Sequence, residues 1–268
     1  MNLAICSLAS GSSGNCYLVR SEKTALLIDA GISAKQITER LKVFGLGVRD
    51  ISAVLVTHEH SDHIKGLGTL AKNKDLNIYA TAKTFRGCEI DFGEAKLVSF
   101  DAGQSFNIGD IEVSSFSVSH DAADPVGYYF QKDDAKLSIV TDTGKITEQI
   151  KTAIRNANIL VMESNHDESI LKMGRYPWFL KQRILGDKGH LSNEAASEAL
   201  AEIFSQEKNQ DLLKQKIVLL AHLSKENNFP EMAIMTMQNT LQASGLIINR
   251  EVIVEALPRT QAGKDYVI

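Results

Sequence analysis

The segment Thr57–His63 (THEHSDH) constrains the fold of this chain more than any other. It follows an apolar, partly β-branched run of six residues that predicts a buried strand. The backbone directly after a strand is still extended, so His58 and His60 point to the same side. Neutral imidazole and carboxylate are ligands of zinc, manganese and iron, so this histidine pair predicts one metal site. Asp62 and His63, in the turn that opens the next helix, predict a second.

Three further candidate ligands follow predicted strands downstream: His120, Asp142 and His222. A carboxylate has two oxygens, so Asp142 can bind two ions at once, although an N-cap for a helix around residues 145–155 is the alternative. His222 is predicted to complete the second ion's ligands, and His190 is the competing candidate for that place. The predicted ligands are His58, His60 and His120 for one ion and Asp62, His63 and His222 for the other, with Asp142 bridging the two.

Four other polar residues stand at strand ends or at a helix start. Asn15 follows a Gly-Ser turn, and it either aims its amide at the metals or belongs to a plain hairpin turn. Asp29 ends a strand, where it is predicted to hold a ligand histidine in place. His166 is predicted to line the site. His190 opens a helix, whose dipole disfavours a charged imidazole, and if it faces the metals it is predicted to give a proton to a leaving oxygen.

Basic and aromatic residues alternate in segment 174–188, which contains the only tryptophan of the chain, Trp178. Bases stack on such rings and phosphates pair with Arg and Lys, so Arg175, Trp178 and Lys181 are candidate substrate contacts. The alternative is an amphipathic helix whose aromatic side chains lie in the core. Both interpretations fit the residues equally well.

Composition limits the broad class of the protein. With 268 residues, 44% of them apolar and 23% charged, the chain has the length and balance of a globular protein with a sizeable core. No apolar run approaches the roughly 20 residues of a membrane span, and the apolar start predicts a first strand rather than a signal peptide. Three cysteines without ligand spacing suit a reducing compartment, so we expect a cytoplasmic protein. The net charge of −4 does not indicate nucleic-acid binding, which would need a local basic patch.

The order of the predicted elements indicates an α/β protein. Strands followed by helices occur in residues 1–75 and again in residues 95–245. A single helix is predicted over residues 63–73, and the last twelve residues are predicted to be a tail. Two sheets packed face to face, with helices outside, would follow from this order. No linker or low-complexity segment interrupts the sequence, so we expect residues 1–268 to form a single domain.

The motif His-x-His-x-Asp-His resembles that of the metallo-β-lactamase superfamily. The stretches 10–15, 163–167, 189–193 and 221–224 resemble its YycJ (WalJ) branch, and the resemblance covers nearly the whole chain. It implies an αββα sandwich of two packed mixed β-sheets flanked by helices, and a 5′-to-3′ exonuclease on double-stranded DNA that serves DNA repair. Related nucleases carry a large extra domain between the fourth and fifth motifs. Only about eighty residues separate Asp142 from His222 here, so any DNA clamp is small or comes from a homodimer partner.

We therefore expect a hydrolase with two divalent metal ions, zinc or manganese or else iron, that cleaves phosphodiesters. A DNA exonuclease acting through a metal-bridging hydroxide is the favoured function, with Asp62, His166 and His190 as catalytic residues. A similar Gly-His before a helix donates the proton in the transfer-RNA-processing branch of the superfamily, which supports the role of His190. The alternative function is a small-molecule phosphodiesterase or thioesterase of the same fold. A non-catalytic metal-binding regulator is a third option, but the intact ligand set argues against it.

Overall fold

Strands and helices alternate through the chain, which the computed structural model describes over residues 3–73 and 75–268. The described residues contain fourteen strands: β1 (Ala4–Ala9), β2 (Cys16–Arg20), β3 (Ala25–Ile28), β4 (Ala53–Leu55), β5 (Asn77–Thr81), β6 (Lys96–Phe100), β7 (Ser105–Ile108), β8 (Ile111–Ser117), β9 (Val126–Lys132), β10 (Ala135–Val140), β11 (Ile159–Glu163), β12 (Lys216–Ala221), β13 (Val252–Ala256) and β14 (Tyr266–Val267). They also contain nine α-helices: α1 (Ala34–Leu41), α2 (Ser61–Ile64), α3 (Leu67–Leu70), α4 (Ala82–Gly87), α5 (Glu148–Asn156), α6 (Glu168–Met173), α7 (Trp178–Leu185), α8 (Asn193–Asn209) and α9 (Pro230–Ala243). Two 3₁₀ helices, Lys42–Phe44 and Val48–Asp50, follow α1. Within this part of the chain, no helix has the length and apolar character needed to cross a membrane.

The strands form two mixed sheets of seven strands each. The first has the order β14-β1-β2-β3-β4-β5-β6, and it is antiparallel from β14 to β3 and parallel from β3 to β6. The second has the order β13-β12-β11-β10-β9-β8-β7, and it is antiparallel from β7 to β9 and parallel from β10 to β13. Each sheet thus combines an antiparallel part with a parallel part. This agrees with the order of strands followed by helices that occurs twice in the sequence. The predicted fold class, two mixed β-sheets flanked by helices, is confirmed.

The chain divides into two compact units. The first unit comprises the described residues up to Ser117 together with Ala122–Ala135 and Pro258–Ile268. The second unit comprises Val118–Asp121 and Lys136–Leu257. The expectation that residues 1–268 form a single domain stays a prediction.

Apolar strands build the core of each unit. In the first unit every residue of β1, β3 and β4 is buried, as expected for strands covered on both faces. The two sheets meet there through aromatic side chains, because the rings of Tyr79 on β5 and Phe106 on β7 stack at 5.1 Å. In the second unit β11 is buried throughout, and α8 packs against α9 with Leu200 and Phe204 inside.

Parallel strands bring polar residues together within each unit. In the first unit β3 and β4 are parallel neighbours, so Asp29 lies beside Thr57 directly after the strand ends. In the second unit β10, β11 and β12 are parallel neighbours, and their ends lead to Asp142, Glu163 and His222. The carboxyl ends of parallel strands are the usual place for a site in such sheets.

Asp29, Asp142 and His222 share a left-handed backbone conformation, with φ of 62°, 55° and 55°. This conformation costs a residue with a side chain about 1–2 kcal/mol, because Cβ approaches the following carbonyl oxygen. It turns the chain sharply as soon as the strand ends. Strained backbone of this kind clusters at functional sites, and these three residues combine it with a place at the end of a parallel strand.

Two predictions about local structure are wrong. The single helix predicted for residues 63–73 is two short helices, because the Gly66 N–H donates to the Ala30 carbonyl oxygen at 2.7 Å and so leaves the helical ladder. A Cβ on Gly66 would lie 2.3 Å from the Ile32 carbonyl oxygen, so only glycine fits this approach. The last twelve residues, predicted as a tail, contain β14, which pairs with β1 and covers its edge.

The three cysteines are free thiols, as the sequence predicts. Cys6 and Cys16 are buried, and Cys88 is half-buried. Burial raises the pKa of Cys6 to about 12 and the pKa of Cys88 to about 11, and it raises the pKa of Cys16 further. None of these thiols is therefore a reactive thiolate at neutral pH.

Gly31→Ala is expected to lower the free energy of unfolding by about 3 kcal/mol. A Cβ on Gly31 would lie 1.6 Å from the Asp62 carbonyl oxygen and 2.6 Å from the Asn15 nitrogen. Both are backbone atoms, so the clash must displace the turn that carries the histidine motif. Urea unfolding measures the effect. Gly47→Ala is the control, because only Asp50 Oδ2 lies near its Cβ, at 3.6 Å, and equal losses in both variants would contradict the argument.

Candidate metal centre

Asp29 organises the histidine motif of the first unit from a completely buried position. Its carboxylate accepts hydrogen bonds from His63 Nδ1 at 2.7 Å, from the Thr57 N–H at 2.8 Å and from the Thr57 hydroxyl at 2.9 Å. Burial raises the pKa of Asp29, although His63 and Thr57 oppose the rise. The predicted contact between Asp29 and a candidate ligand is therefore present, in the carboxylate–histidine arrangement found around metal ions.

Thr57 extends this arrangement to His58. Its hydroxyl donates to Asp29, so it accepts from His58 Nδ1, which lies 3.0 Å away. With Nδ1 protonated on both His58 and His63, Nε2 of each ring carries the lone pair that binds a metal. His60 adds a further imidazole, whose ring centre lies 4.6 Å from that of His58.

Asn15 is completely buried and faces the candidate ligands of the first unit. Its amide nitrogen lies 3.1 Å from His63 Nε2 and 3.5 Å from Asp62 Oδ2. Its amide oxygen accepts from the Gly11 N–H at 3.0 Å, and its own N–H donates to the Asp62 carbonyl oxygen at 2.8 Å. Asn15 is thus more than a residue of the hairpin turn, whereas its contact with substrate stays a prediction.

Asp29→Asn is expected to weaken metal binding roughly 10- to 100-fold, the usual effect of changing such a partner. Asparagine tolerates the φ of 62° at this position, so the variant acts through the lost charge beside His63 and not through the backbone. Competition with a chromogenic chelator measures the affinity. Asp211→Asn, at φ 58° in a loop of the second unit, is the matched control. Wild-type affinity in Asp29→Asn would contradict the role.

Glu163 is the centre of a second group of side chains, in the second unit. It ends β11 and is completely buried. Its Oε1 accepts from His190 Nδ1 at 2.8 Å and from His222 Nδ1 at 2.9 Å, and its Oε2 accepts from the Thr143 N–H at 2.8 Å. Burial favours the neutral acid, but the two histidines outweigh it and hold the pKa of Glu163 well below its usual range. A charged carboxylate therefore fixes both rings.

Glu163 lies outside the site residues predicted from sequence. The signal that finds it is positional, because it is the last residue of an apolar strand whose parallel neighbours lead to two predicted ligands. A carboxylate at the end of the strand between Asp142 and His222 must meet their side chains. The strand order, which sets this placement, is not visible in the sequence.

Asp142 joins this group through its carboxylate. Its Oδ1 lies 3.3 Å from His222 Nδ1, 3.7 Å from His190 Nδ1 and 3.9 Å from His120 Nε2. Asp142, Glu163, His190 and His222 each offer one possible ligand atom, and these atoms lie within 4.8 Å of one another. The N-cap alternative for Asp142 is wrong, because Thr147 caps α5 through a hydrogen bond from the Ile150 N–H.

His120 is buried, and its Nδ1 lies 3.1 Å from the Gly189 carbonyl oxygen. A carbonyl oxygen only accepts, so Nδ1 carries the proton and Nε2 carries the lone pair. Burial lowers the pKa of His120, although the neighbouring Asp142 opposes the effect. The ring is therefore held in the neutral form that binds metals.

His190 and His222 contact the same oxygen of Glu163 but differ in exposure. The His222 side chain is 2% exposed, and the His190 side chain is 19% exposed. A buried imidazole beside the predicted bridging carboxylate suits a metal ligand, whereas a partly exposed one suits contact with substrate. The geometry favours His222 as the ligand and His190 as the proton donor, and both assignments stay predictions.

His166 is 1% exposed, and its ring nitrogens have no hydrogen-bond partner among the described residues. Burial lowers its pKa to about 4, so the ring is neutral at pH 7. Its carbonyl oxygen accepts from the Asn193 N–H at 2.8 Å, which fastens the segment after β11 to the start of α8. The predicted catalytic role of His166 is untested, and its burial gives the ring no exposed edge for a substrate.

The three predicted substrate contacts in segment 174–188 differ in exposure. Arg175 and Trp178 are exposed, whereas Lys181 is buried. The Lys181 Nζ donates to the carbonyl oxygens of Lys172 and Gly174, at 2.7 Å each, and so ties α7 to the end of α6. The alternative of aromatic side chains in the core is wrong, since Trp178 is 65% exposed and Phe179 is 72% exposed.

Both groups suit divalent metal ions by the chemistry of their donors. Imidazole and carboxylate fit zinc, manganese or iron, and in each unit a buried carboxylate, Asp29 or Glu163, fixes the tautomer of the rings. The predicted residues that come together in the first unit are Asn15, His58, His60, Asp62 and His63. Those that come together in the second unit are His120, Asp142, His190 and His222.

Comparison with known proteins agrees with the fold and the motif. Residues 24–208 match the family model of the beta-lactamase superfamily domain. The chain is 45% identical over 249 residues to exodeoxyribonuclease YycJ of Bacillus anthracis, which covers 91% of each chain. It is 43% identical over 244 residues to exodeoxyribonuclease WalJ of Streptococcus pneumoniae, which covers 89% of this chain and 88% of that one.

Solved structures of low identity support the fold alone. The metallo-β-lactamase fold protein YhfI from Bacillus subtilis superposes with a TM-score of 0.70 at 16% identity, over 98% of each chain. Yeast PDE1 superposes with a TM-score of 0.71 at 12% identity, over 97% of this chain and 98% of that one. The prediction that this chain is an enzyme is confirmed by its relatives. The chain belongs to the metallo-β-lactamase superfamily of hydrolases and, within it, to the YycJ/WalJ branch.

Proposed function

We propose that this chain is a metal-dependent exodeoxyribonuclease that removes nucleotides in the 5′-to-3′ direction from double-stranded DNA. The observation that carries the proposal is the 45% and 43% identity, over about nine-tenths of the chain, to two proteins named exodeoxyribonucleases. A role in DNA repair, a cytoplasmic location and a homodimer remain predictions that this function makes reasonable. The alternative is a small-molecule phosphodiesterase or thioesterase.

We propose two divalent ions, zinc or manganese or else iron, as cofactors. The proposed ligands are His58, His60 and His120 for one ion and Asp62, His63 and His222 for the other, with Asp142 shared. Bound ions would supply Lewis acidity and activate water for attack on phosphorus. The fixed tautomers of His58, His63 and His120 support this assignment, because each ring carries its lone pair on Nε2.

The residues of the chain itself would handle the proton of the leaving group. His190 donates from Nδ1 to Glu163, so its Nε2 is the nitrogen proposed to hand a proton to the leaving 3′ oxygen. Glu163, which is charged and completely buried, would stabilise the protonated imidazole. Asp62, whose side chain is 25% exposed, is proposed to accept the proton of the attacking water beside His63. The predicted catalytic role of His166 stays a proposal, and its ring is buried and neutral at pH 7.

Linear duplex DNA labelled at the 5′ or the 3′ end, incubated with manganese-loaded protein, tests the function. Stepwise release of the 5′ label is the expected result. Release from the 3′ end alone would overturn the proposed polarity. A protein that holds two metal ions and leaves DNA intact would favour the small-molecule alternative.

His190→Ala is expected to keep both metal ions and to slow turnover roughly 100- to 10,000-fold, the usual contribution of a proton donor. Metal content by mass spectrometry and single-turnover rates are the two measurements. His60→Ala, a change in a proposed ligand, is the comparison and is expected to lose metal. Loss of a metal ion from His190→Ala would show that His190 and His222 exchange roles.

A further inference from the structure

Met173, Trp178 and Phe179, at the junction of α6 and α7, carry exposed apolar side chains, and we call these three residues the aromatic face. They are 81%, 65% and 72% exposed. Lys181 is the buried residue of α7, so this helix stands on the surface and contributes little to the core. Large apolar side chains clustered in solvent mark a binding surface more often than scattered ones do.

Basic residues outnumber acidic ones in the segment that carries Trp178 and Phe179. Residues 172–188 contain five basic residues and a single acid, in a chain of net charge −4. Lys172 pairs with Glu168 at 2.6 Å and Arg183 pairs with Asp121 at 2.6 Å. Arg175 and Lys188 are exposed and form no ion pair with any described residue, so they are available to a polyanion.

The aromatic face is held rigidly with respect to the candidate site of the second unit. At one end of α7, Lys181 binds the two carbonyl oxygens that end α6. At the other end, the His190 N–H donates to the Ile184 carbonyl oxygen at 2.9 Å, and a Cβ on Gly189 would lie 2.2 Å from that oxygen. The helix is thus fixed at both ends, and a ligand on the face loses little affinity to ordering it.

The distance along α7 suits a nucleic acid strand that continues into the site. Arg183, five residues after Trp178, contacts Asp121, the residue after His120. At 1.5 Å rise per residue this spacing is roughly 7–8 Å, or about two base steps at 3.4 Å. Aromatic rings need the face of a base, which a paired duplex hides in its stack. The geometry therefore favours an unpaired strand over duplex DNA.

We propose that the aromatic face binds the unpaired strand of a DNA end, with bases stacked on Trp178 and Phe179 and phosphates paired with Arg175 and Lys188. The proposal rests on the proposed nuclease function, since it names the form of DNA that the same site takes. It assigns Trp178 and Phe179 to substrate binding and leaves Lys181 as the residue that ties α7 to α6.

Because Trp178 is the only tryptophan, its fluorescence reports directly on the face. Titration with a phosphorothioate oligo(dT), which resists cleavage, is expected to quench this fluorescence saturably, and added salt is expected to weaken binding. A blunt duplex of the same length is expected to quench much less. No quenching by the single strand, or equal quenching by the duplex, would overturn the proposal.

Variants measured by anisotropy of a labelled oligo(dT) give the second test. Trp178→Ala and Phe179→Ala are each expected to weaken single-strand binding roughly 5- to 100-fold, the range for loss of one stacking ring. Trp178→Phe keeps a ring and is expected to retain most of the affinity. Leu212→Ala is the matched control, since Leu212 is 65% exposed and follows the far end of α8, a helix of 17 residues or roughly 25 Å.

The outcomes separate this proposal from the nuclease function. If the wild type degrades DNA but the aromatic variants bind like Leu212→Ala, the face is not the strand site and the function stands. A different outcome is a wild type that holds metal and degrades no DNA, but whose fluorescence is quenched by oligo(dT) less strongly after Phe179→Ala. The aromatic face would then be a strand-binding site, and the proposed exonuclease function would be wrong. If the alanine variants change a dimer into a monomer with unchanged DNA affinity, a second copy occupies the face and the proposal is wrong.

Discussion

Asp142→Asn is expected to lower turnover at least roughly 1,000-fold while the protein stays folded. Loss of one ion removes several kcal/mol of transition-state stabilisation, and about 4 kcal/mol corresponds to this factor. Asparagine tolerates the φ of 55° at this position, whereas alanine would add backbone strain to the loss of the carboxylate. The substitution therefore removes one of the two carboxylate oxygens with which Asp142 would hold two ions.

Metal content and single-turnover rates measured on the same preparation test the bridging role. We expect the metal content to fall from two ions toward one. Asp133→Asn is the matched control, because Asp133 has a φ of 52° in the turn between β9 and β10 and lies outside the proposed ligands. Two ions and full turnover in Asp142→Asn would refute the bridge.

Glu163→Gln is expected to lower turnover at least roughly 100-fold and to destabilise the protein as well. The carboxylate accepts from two imidazoles at Oε1 and from the N–H groups of Thr143 and Leu191 at Oε2, at 2.8 and 3.4 Å. The NH2 group of a glutamine amide would have to face either the two imidazole N–H groups or the two backbone N–H groups, and both of these sets are donors. A buried donor without an acceptor costs about 1–3 kcal/mol, so the free energy of unfolding should fall by that amount.

Glu207→Gln separates the two effects of that substitution. Glu207 is a half-buried carboxylate of the second unit, and its Oε2 faces Lys216 Nζ at 3.3 Å and makes no contact with a proposed ligand. We expect Glu207→Gln to lose stability and keep full turnover. Turnover of Glu163→Gln within about tenfold of the wild type would mean that His190 and His222 do not depend on it for position.

The polar residues that follow the ends of strands are the part of the site that the sequence predicts best. Apolar, β-branched runs mark the strands, and a polar residue directly after such a run must lie at a sheet edge, as His58, His120 and Asp142 do. This reasoning does not identify Glu163. Its contacts with His190 and His222 depend on the strand order β10-β11-β12, which no local sequence pattern encodes. The sequence predicts that Asp29 contacts a candidate ligand histidine. That this histidine is His63 depends on the parallel register of β3 and β4.

Long-range contacts explain the remaining differences. Lys181 looks like a surface cation in the sequence, and only the position of α6 shows that its ammonium binds two carbonyl oxygens. The break between α2 and α3 comes from the contact of Gly66 with Ala30, more than thirty residues earlier. Trp178 and Phe179 differ from Lys181 in the opposite direction. Aromatic residues in a helical segment usually lie in the core, and these two are exposed.

The left-handed backbone at Asp142 and His222 lowers the stability of the fold at two positions that hold proposed metal ligands. Glycine adopts this conformation without the cost of about 1–2 kcal/mol that a side chain brings, so a glycine at either position would relax the strand end while removing a proposed ligand. Laboratory evolution for heat resistance alone would therefore favour inactive variants at these two positions. Natural selection for turnover must hold them against that tendency, which is the usual trade-off at a strained active site.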